Sequence, residues 1–249
     1  MELYGHRLSQ PSRAVEILLR ELSIPYAWRE VDFTGGGTRT AQYLGEVTPL
    51  GTVPALIVTE LGPGAPSIVA RFAESHAIMR YLCRRSARTQ AADDWYPGDH
   101  DPLRAALIDQ WLDWHHNNIR RYDMFHHLVN LHRTLPLLKR EIHEIELLPR
   151  QHMLRRALAV LDRHLGAAGN TPTLTGDDRC SIADLAISCE LYQIAAVGYR
   201  FETFRSVRRW LDAMSARPVF RAVSADITAL GKTIGEQEGK YLALESALM

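Results

Sequence analysis

"VPALIVTELGPGAPSIVARFAESHAIMRYLCRR", residues 53–85, decides the fold. Two runs rich in strand formers, "VPALIVTE" and "SIVARFA", flank "LGPGAP". Its glycines and prolines set the backbone angles of a turn, so the pair reads as a β-hairpin. "ESHAIMRYLCRR" follows with helical spacing and Ser75 at its start. Toward the N-terminus, "ELYG" is a short strand. "PSRAVEILLREL" is a helix with Ala14, Val15, Leu18, Leu19 and Leu22 on one broad face and proline in its first turn. "YAWREVDF" alternates like a second strand, and "GGG" at 35–37 breaks the pattern. The order β-α-β, hairpin, α predicts a small α/β domain with a mixed sheet over residues 1–85.

Beyond it the pattern changes. Residues 86–100, "SARTQAADDWYPGDH", lose their periodicity and read as a linker with a Trp-Tyr-Pro anchor. Residues 101–249 read as an all-helical domain. Leu107, Trp111 and Trp114 fall on one face. A later helix opens at Pro149, carries Leu154, Leu158, Leu161 and Leu165, and stops at Gly166. "CSIADLAISCELYQIAAVG" starts with Ser181 and Asp184 at the spacing of a capping box, Asp standing in for the usual Glu. Cys180 and Leu185 stand where a hydrophobic staple would. This helix is apolar nearly all round, which predicts the buried centre of a bundle. "SVRRWLDAMSARP" gives one more amphipathic helix, and Gly231 opens a C-terminal tail.

The composition narrows the function classes. The chain has 249 residues, 46% of them apolar, enough for one large domain or two modest ones. Lys plus Arg equals Asp plus Glu, 29 each, so no basic excess predicts a nucleic-acid partner. Three cysteines without paired spacing, Cys83, Cys180 and Cys189, point to a reducing compartment. No signal-like start and no apolar run near ~20 residues occur, so a cytoplasmic protein without a membrane partner is expected. Histidine is frequent, with pairs at 115–116 and 126–127 and singles at 132 and 143. Zinc ligands need fixed local spacings such as HExxH, which are absent, so no metal is expected.

Five short motifs, in order along the chain, resemble the cytosolic glutathione transferases, most closely their theta class. They are "ELYGHRLSQPSRAV", "TPLGTVPAL", "ESHAIMRYL", "WYPGDH" and "SIADL". The resemblance implies a thioredoxin-like N-terminal domain, an all-helical C-terminal domain, glutathione as cosubstrate and a homodimer. It also implies a set of site residues. A cis bond before Pro54 would turn the Val53 backbone outward to pair with the cysteinyl part of glutathione like an added strand. Glu74 and Ser75 would meet the γ-glutamyl group at a helix N-terminus, whose free N–H groups and dipole favour an anion. Arg39 aligns with a basic position facing the glycyl carboxylate. Asp109 aligns with an acid that reaches the glutamyl amine across the dimer interface. Thr48 replaces a turn-shaping asparagine, and Thr52 replaces a lysine common in theta relatives.

Ser9 lies just before the first helix and is the candidate donor to the glutathione sulfur. Ser12, one turn on, and Tyr4, on the first strand, are the rivals, and a plain helix cap is the bland alternative for Ser9. A free thiol titrates near pH ~8.5, so lowering its pKa by roughly two units takes about 2.7 kcal/mol. One hydroxyl bond to an ion contributes about 1.5–3 kcal/mol, and a helix N-terminus some tenths to about one. The sum suffices without a general base. Arg13 is a candidate for an additional electrostatic role near the sulfur. His115, His116, Arg120, Arg121 and Tyr122 lie on the helix that walls the second-substrate pocket in relatives, where a small hydrophobic electrophile would sit.

Two function classes remain. One is a transferase acting on alkyl halides, epoxides or organic peroxides. The other is a non-catalytic interaction module on the same fold.

Overall fold

The computed structural model describes residues 1–33, 35–60, 67–86, 90–120, 144–167, 169, 173–196 and 199–237. The chain divides into two compact units, 1–105 and 106–249.

The first unit is built on a four-stranded sheet of order β2-β1-β3-β4. Strand β1 (Glu2–Gly5) pairs in parallel with β2 (Ala27–Glu30), the two joined by helix α1 (Gln10–Glu21). Strand β3 (Ala55–Glu60) runs antiparallel to β1, and β4 (Ser67–Ala73) antiparallel to β3. Helix α2 (Ser75–Arg85) follows β4 directly. This is the mixed sheet that the strand and turn signals predict, and it has the thioredoxin-like form that the resemblance implies. Leu3, Leu56 and Val58 of the sheet are fully buried, as are Val15, Leu18 and Leu19 of α1 and Ile78, Met79 and Leu82 of α2. At ~25 cal/mol per Å² of apolar area, side chains of this size contribute about 1.5–3 kcal/mol each.

The segment read as a linker has structure of its own. Residues Gln90–Trp95 form helix α3, and Gly98–His100 a 3-10 turn. Ala92, Trp95 and Tyr96 are buried, and the Arg84 guanidinium lies 5.4 Å above the Tyr96 ring. An aromatic face under a cation anchors the chain here.

The second unit is helical throughout its described residues. Helix α4 (Pro102–Asn118) crosses the division between the units. Its buried face is Arg104, Ile108, Trp111, Leu112, His115 and the following Ile119, while Leu107 is exposed. The expected stripe through Leu107 is therefore corrected by one position to Ile108. Helix α5 (Glu144–Ala167) begins five residues before Pro149, where a start was expected. Its buried Leu154, Leu158, Leu161 and Leu165 are the expected face. Helix α6 (Ile182–Ala196) is buried at every residue from Ile182 to Leu191, as its all-round apolar sequence requires.

Both ends of the bundle core are tied by carboxylates. Ser181 N and Oγ donate to Asp184 Oδ2 at 2.9 and 2.7 Å, and Asp184 N donates back to Ser181 Oγ at 3.4 Å. This is the reciprocal capping box that the spacing predicts. Helix α7 (Arg205–Ser215) is capped from outside, since Ser206 N and Val207 N donate to Asp162 Oδ1 of α5 at 2.7 and 3.0 Å. Helix α8 (Pro218–Val223) leads into α9 (Ala225–Gln237). The stretch from Gly231, expected to be a tail, thus continues a helix to 237. The glycine is required by close approach. A β-carbon there would lie 2.3 Å from the carbonyl oxygen of Ala196 at the end of α6. No helix among the described residues is long and apolar enough to cross a membrane.

Candidate active site

The sheet register gathers the sequence-singled residues at one end of the first unit. Tyr4 of β1 stands opposite Ala55 of β3, and Ala55 opposite Ala73 of β4. Neighbouring strands are ~4.8 Å apart, so Tyr4 and Ala73 are separated by about 10 Å across the sheet. Just beyond this row lie the turn after Gly5 that carries Ser9, the Val53–Pro54 bond and the Glu74–Ser75 pair. The Val53–Pro54 bond is cis.

Ser9 occupies the N-cap position of α1, yet its side chain makes no capping bond. The plain-cap reading therefore does not hold. Its Oγ instead accepts a hydrogen bond from Ser12 Oγ at 3.0 Å. Ser12 is fully buried, and Ser9 is 6% exposed. With the Ser9 oxygen accepting from below, its own proton remains to be donated outward. Arg13 is buried completely, its Nη1 donating to the Arg7 carbonyl at 2.9 Å. Tyr4 packs, with Val53, against the cluster of Val31, Tyr43, Val47 and Ala55. Its hydroxyl donates to Glu2 Oε2 at 3.3 Å, and its ring packs edge-on against Tyr43. Burial and the Glu2 carboxylate hold this phenol above its ordinary pKa.

Glu74 and Ser75 open α2. Glu74 has φ +66°, a left-handed conformation costly for a residue with a β-carbon. It makes no side-chain capping bond either. Neither α1 nor α2 has an acidic residue in its first turn. The contrast with α6 and α7 is informative, since carboxylates occupy the N-termini of both. At the sheet end, neither helix N-terminus has a side-chain cap from its N-cap residue, and the partial positive charge of such termini favours anions.

Arg39 closes a 3-10 turn, Gly37–Arg39. Gly51 explains its placement. A β-carbon at Gly51, whose φ is +61°, would lie 2.9 Å from Arg39 Nη1 and 3.1 Å from the Thr38 carbonyl. Only glycine lets the 51–54 loop run against Arg39. Thr48 shapes the preceding turn, where its Oγ1 and carbonyl oxygen accept from Leu50 N and Gly51 N, both at 3.3 Å. Tyr43 Oη donates to the carbonyl of the exposed Thr52 at 2.8 Å.

In the helical unit, His115 and Arg120 do not stand open. His115 Nε2 lies 3.5 Å and Arg120 Nη1 3.0 Å from Glu190 Oε2 of α6. His115 and Glu190 are each 3% exposed, whereas Arg120 is 32% exposed and His116, stacked on His115, is half-buried. The buried carboxylate thus draws in a histidine expected on a pocket wall. Asp109, on α4, is half-buried. Arg121, Tyr122 and the histidines at 126, 127, 132 and 143 lie outside the described residues, as does the chain after 237. No cluster of three metal-ligating side chains occurs among the described residues. Cys83 and Cys189 are buried, while Cys180 is partly exposed and approaches Met214 Sδ at 3.7 Å. Burial, with Asp93 nearby, pushes the Cys83 thiol up to about 12, so it is inert as a nucleophile at neutral pH.

One polar group gave no signal in the sequence. Glu16 of α1, fully buried, accepts from Arg7 at 3.1 and 3.2 Å, from Arg20 at 2.6 Å and from Tyr26 at 3.0 Å. The Arg7 guanidinium also lies 4.9 Å over the Trp28 ring. This network fixes the turn between β1 and α1 on which Ser9 sits.

Both units are similar to those of known proteins. Residues 3–90 match the family description "Glutathione S-transferase, N-terminal domain", and residues 125–218 match "Glutathione S-transferase, C-terminal domain". Glutathione S-transferase T1 of Arabidopsis thaliana is 31% identical over 220 residues, covering 85% of this chain and 82% of that protein. Glutathione S-transferase theta-2B of Homo sapiens is 31% identical over 219 residues, covering 87% and 81%. The crystal structure of human glutathione transferase theta-2 in complex with glutathione superposes with a TM-score of 0.76 at 26% identity, over 98% of this chain and 97% of that one.

Proposed function

The chain belongs to the glutathione S-transferase family, most similar to its theta class, and we propose that Ser9 holds bound glutathione as a thiolate for attack on a small electrophile. The protein is a transferase of this family. One observation carries the assignment of the site. The register puts Ser9, the cis Val53–Pro54 bond and two side-chain-uncapped helix N-termini at the same sheet end.

In this reading the N-terminus of α2, with Ser75, receives the γ-glutamyl carboxylate. Glu74 pairs with its ammonium, aided by Asp109 from the second protomer of a homodimer. The Val53 N–H and C=O pair with the cysteinyl backbone, and Arg39 faces the glycyl carboxylate. Ser9 donates its hydroxyl proton to the sulfur as a hydrogen bond. The sulfur is the nucleophile, and Ser9 forms no covalent bond. The buried Arg13 guanidinium adds positive charge behind the turn. On attack, the sulfur's electron pair forms the S–C bond and the leaving group departs with the C–X pair, a displacement helped by positioning. Alkyl halides and epoxides fit this chemistry, and organic peroxides offer a related attack on oxygen. His116 and Arg120, which keep some exposure, are the better electrophile-pocket candidates, with His115 supporting them through Glu190. The location is cytoplasmic, and the chemistry requires no metal.

Retention on immobilised glutathione, with elution by the free tripeptide, tests the binding. Ser75→Ala is expected to weaken glutathione binding about tenfold, the loss of one charge-assisted bond of ~1.5 kcal/mol. Flow-through of the unmodified protein would favour the interaction-module reading instead.

A further inference from the structure

We propose that the helical unit carries a second ligand site, for a multivalent oxyanion, between the 200–202 loop and helix α7. A cavity of about 540 Å³ opens there, lined by Arg200, Phe201, Glu202, Arg205, Arg208 and Arg209. That size lies within the range of small-ligand pockets. Its lining holds four arginines and one glutamate.

The other nearby acids are already committed. Asp212 accepts from Arg208 Nε at 2.9 Å. Asp162 caps the α7 backbone. The Arg200, Arg205 and Arg209 side chains make no hydrogen bond or ion pair among the described residues. With Arg208 paired to Asp212, three further arginines stand beside the single Glu202 carboxylate, and this excess of like charge favours a bound anion with more than one charge. Arginine suits this role, because its planar fork binds phosphate or carboxylate oxygens in pairs.

The floor of the cavity is closely packed and hydrogen-bonded. Phe201 holds φ +53° and is 1% exposed, its ring packed edge-on against Tyr199. Phe204 N donates to the Phe201 carbonyl at 3.0 Å, and Arg208 Nη1 reaches back to the Arg200 carbonyl at 2.7 Å. A strained, non-glycine residue in a loop closed by its neighbours is a feature of ligand clamps. Because the Phe201 ring is covered, the site offers no face for a base to stack upon. The ligand is therefore recognised by its charges.

Calorimetric titration of the intact protein with inorganic tripolyphosphate and, separately, with citrate tests the site. Saturable binding of at least one is expected, weakening as salt rises. The arm that binds more tightly tells phosphate from carboxylate chemistry. Arg205→Gln with Arg209→Gln is expected to weaken binding about tenfold or more while leaving glutathione conjugation unchanged. Arg221→Gln, an exposed charge on α8, is expected to bind as the unmodified protein does. No saturable binding of either anion into the millimolar range overturns the proposal. So does binding that the double variant retains or that Arg221→Gln weakens equally.

Discussion

Asp184→Ala is expected to destabilise the helical unit by about 3–5 kcal/mol, the loss typical of breaking a buried charged network from one side. Asp184 is fully buried, and four donors converge on it. Leu174 N and Trp210 Nε1 reach Oδ1, both at 2.9 Å, and Ser181 N and Oγ reach Oδ2. They come from the turn before α6, from the α6 cap and from α7. Burial pushes this carboxyl above the usual range, while the bonds from Ser181, Trp210 and Leu174 act the other way. Truncation orphans those donors at once, among them the indole of Trp210, a fully buried side chain. Each buried donor without a partner costs about 1–3 kcal/mol. Against a total stability of ~5–15 kcal/mol, that loss threatens folding itself. Asp184→Asn keeps one carbonyl oxygen but turns an NH₂ toward donors, so an intermediate loss is expected. Denaturant midpoints of the three proteins check the order, and a loss under about 1 kcal/mol for Asp184→Ala would contradict it.

Ser9→Ala is expected to slow conjugation about 10–100-fold near pH ~6.5, from a lost hydroxyl-to-thiolate bond of about 1.5–3 kcal/mol. The defect has a pH signature. Above the ~8.5 of a free thiol, glutathione ionises unaided, so the two proteins should converge as pH rises. A structural lesion would not converge. Ser12→Ala separates the two hydroxyls, because Ser12 sits behind Ser9 and donates to it. If Ser12 were the sulfur's donor, its removal would cause the larger loss. Turnover of a small alkyl halide across pH, for both variants, decides between them.

The parts of the fold that the sequence made legible are those carried by local chemistry. The 53–85 hairpin and helix follow from two strand-forming runs, a Pro/Gly turn and a helix-length apolar pattern. The Ser181–Asp184 cap follows from spacing alone. What stayed hidden depended on distant partners. Pro149 resembles a first-turn proline, but α5 starts at Glu144 and its backbone continues past Pro149 to the deeply packed 154–165 face. Gly231 reads as a breaker, but it is the gap that lets α9 touch Ala196. Helix α3 has only six residues, under two turns, too short for a period to show. At the candidate site, Ser9, Val53, Pro54, Glu74 and Ser75 could be singled out because the resemblance to the transferases is carried by short contiguous segments. The Ser12–Ser9 bond, the Gly51–Arg39 contact and the capture of His115 by Glu190 were not, since each needs the three-dimensional register.

The most direct test is the absorbance titration of the thiolate of protein-bound glutathione, unmodified protein against Ser9→Ala. The expected result is an apparent pKa well below that of the free tripeptide, rising by about one to two units on substitution, the equivalent of ~1.4–2.7 kcal/mol. An unshifted pKa in the unmodified protein, or a lowered one that Ser9→Ala leaves in place, would contradict Ser9 as the activating donor.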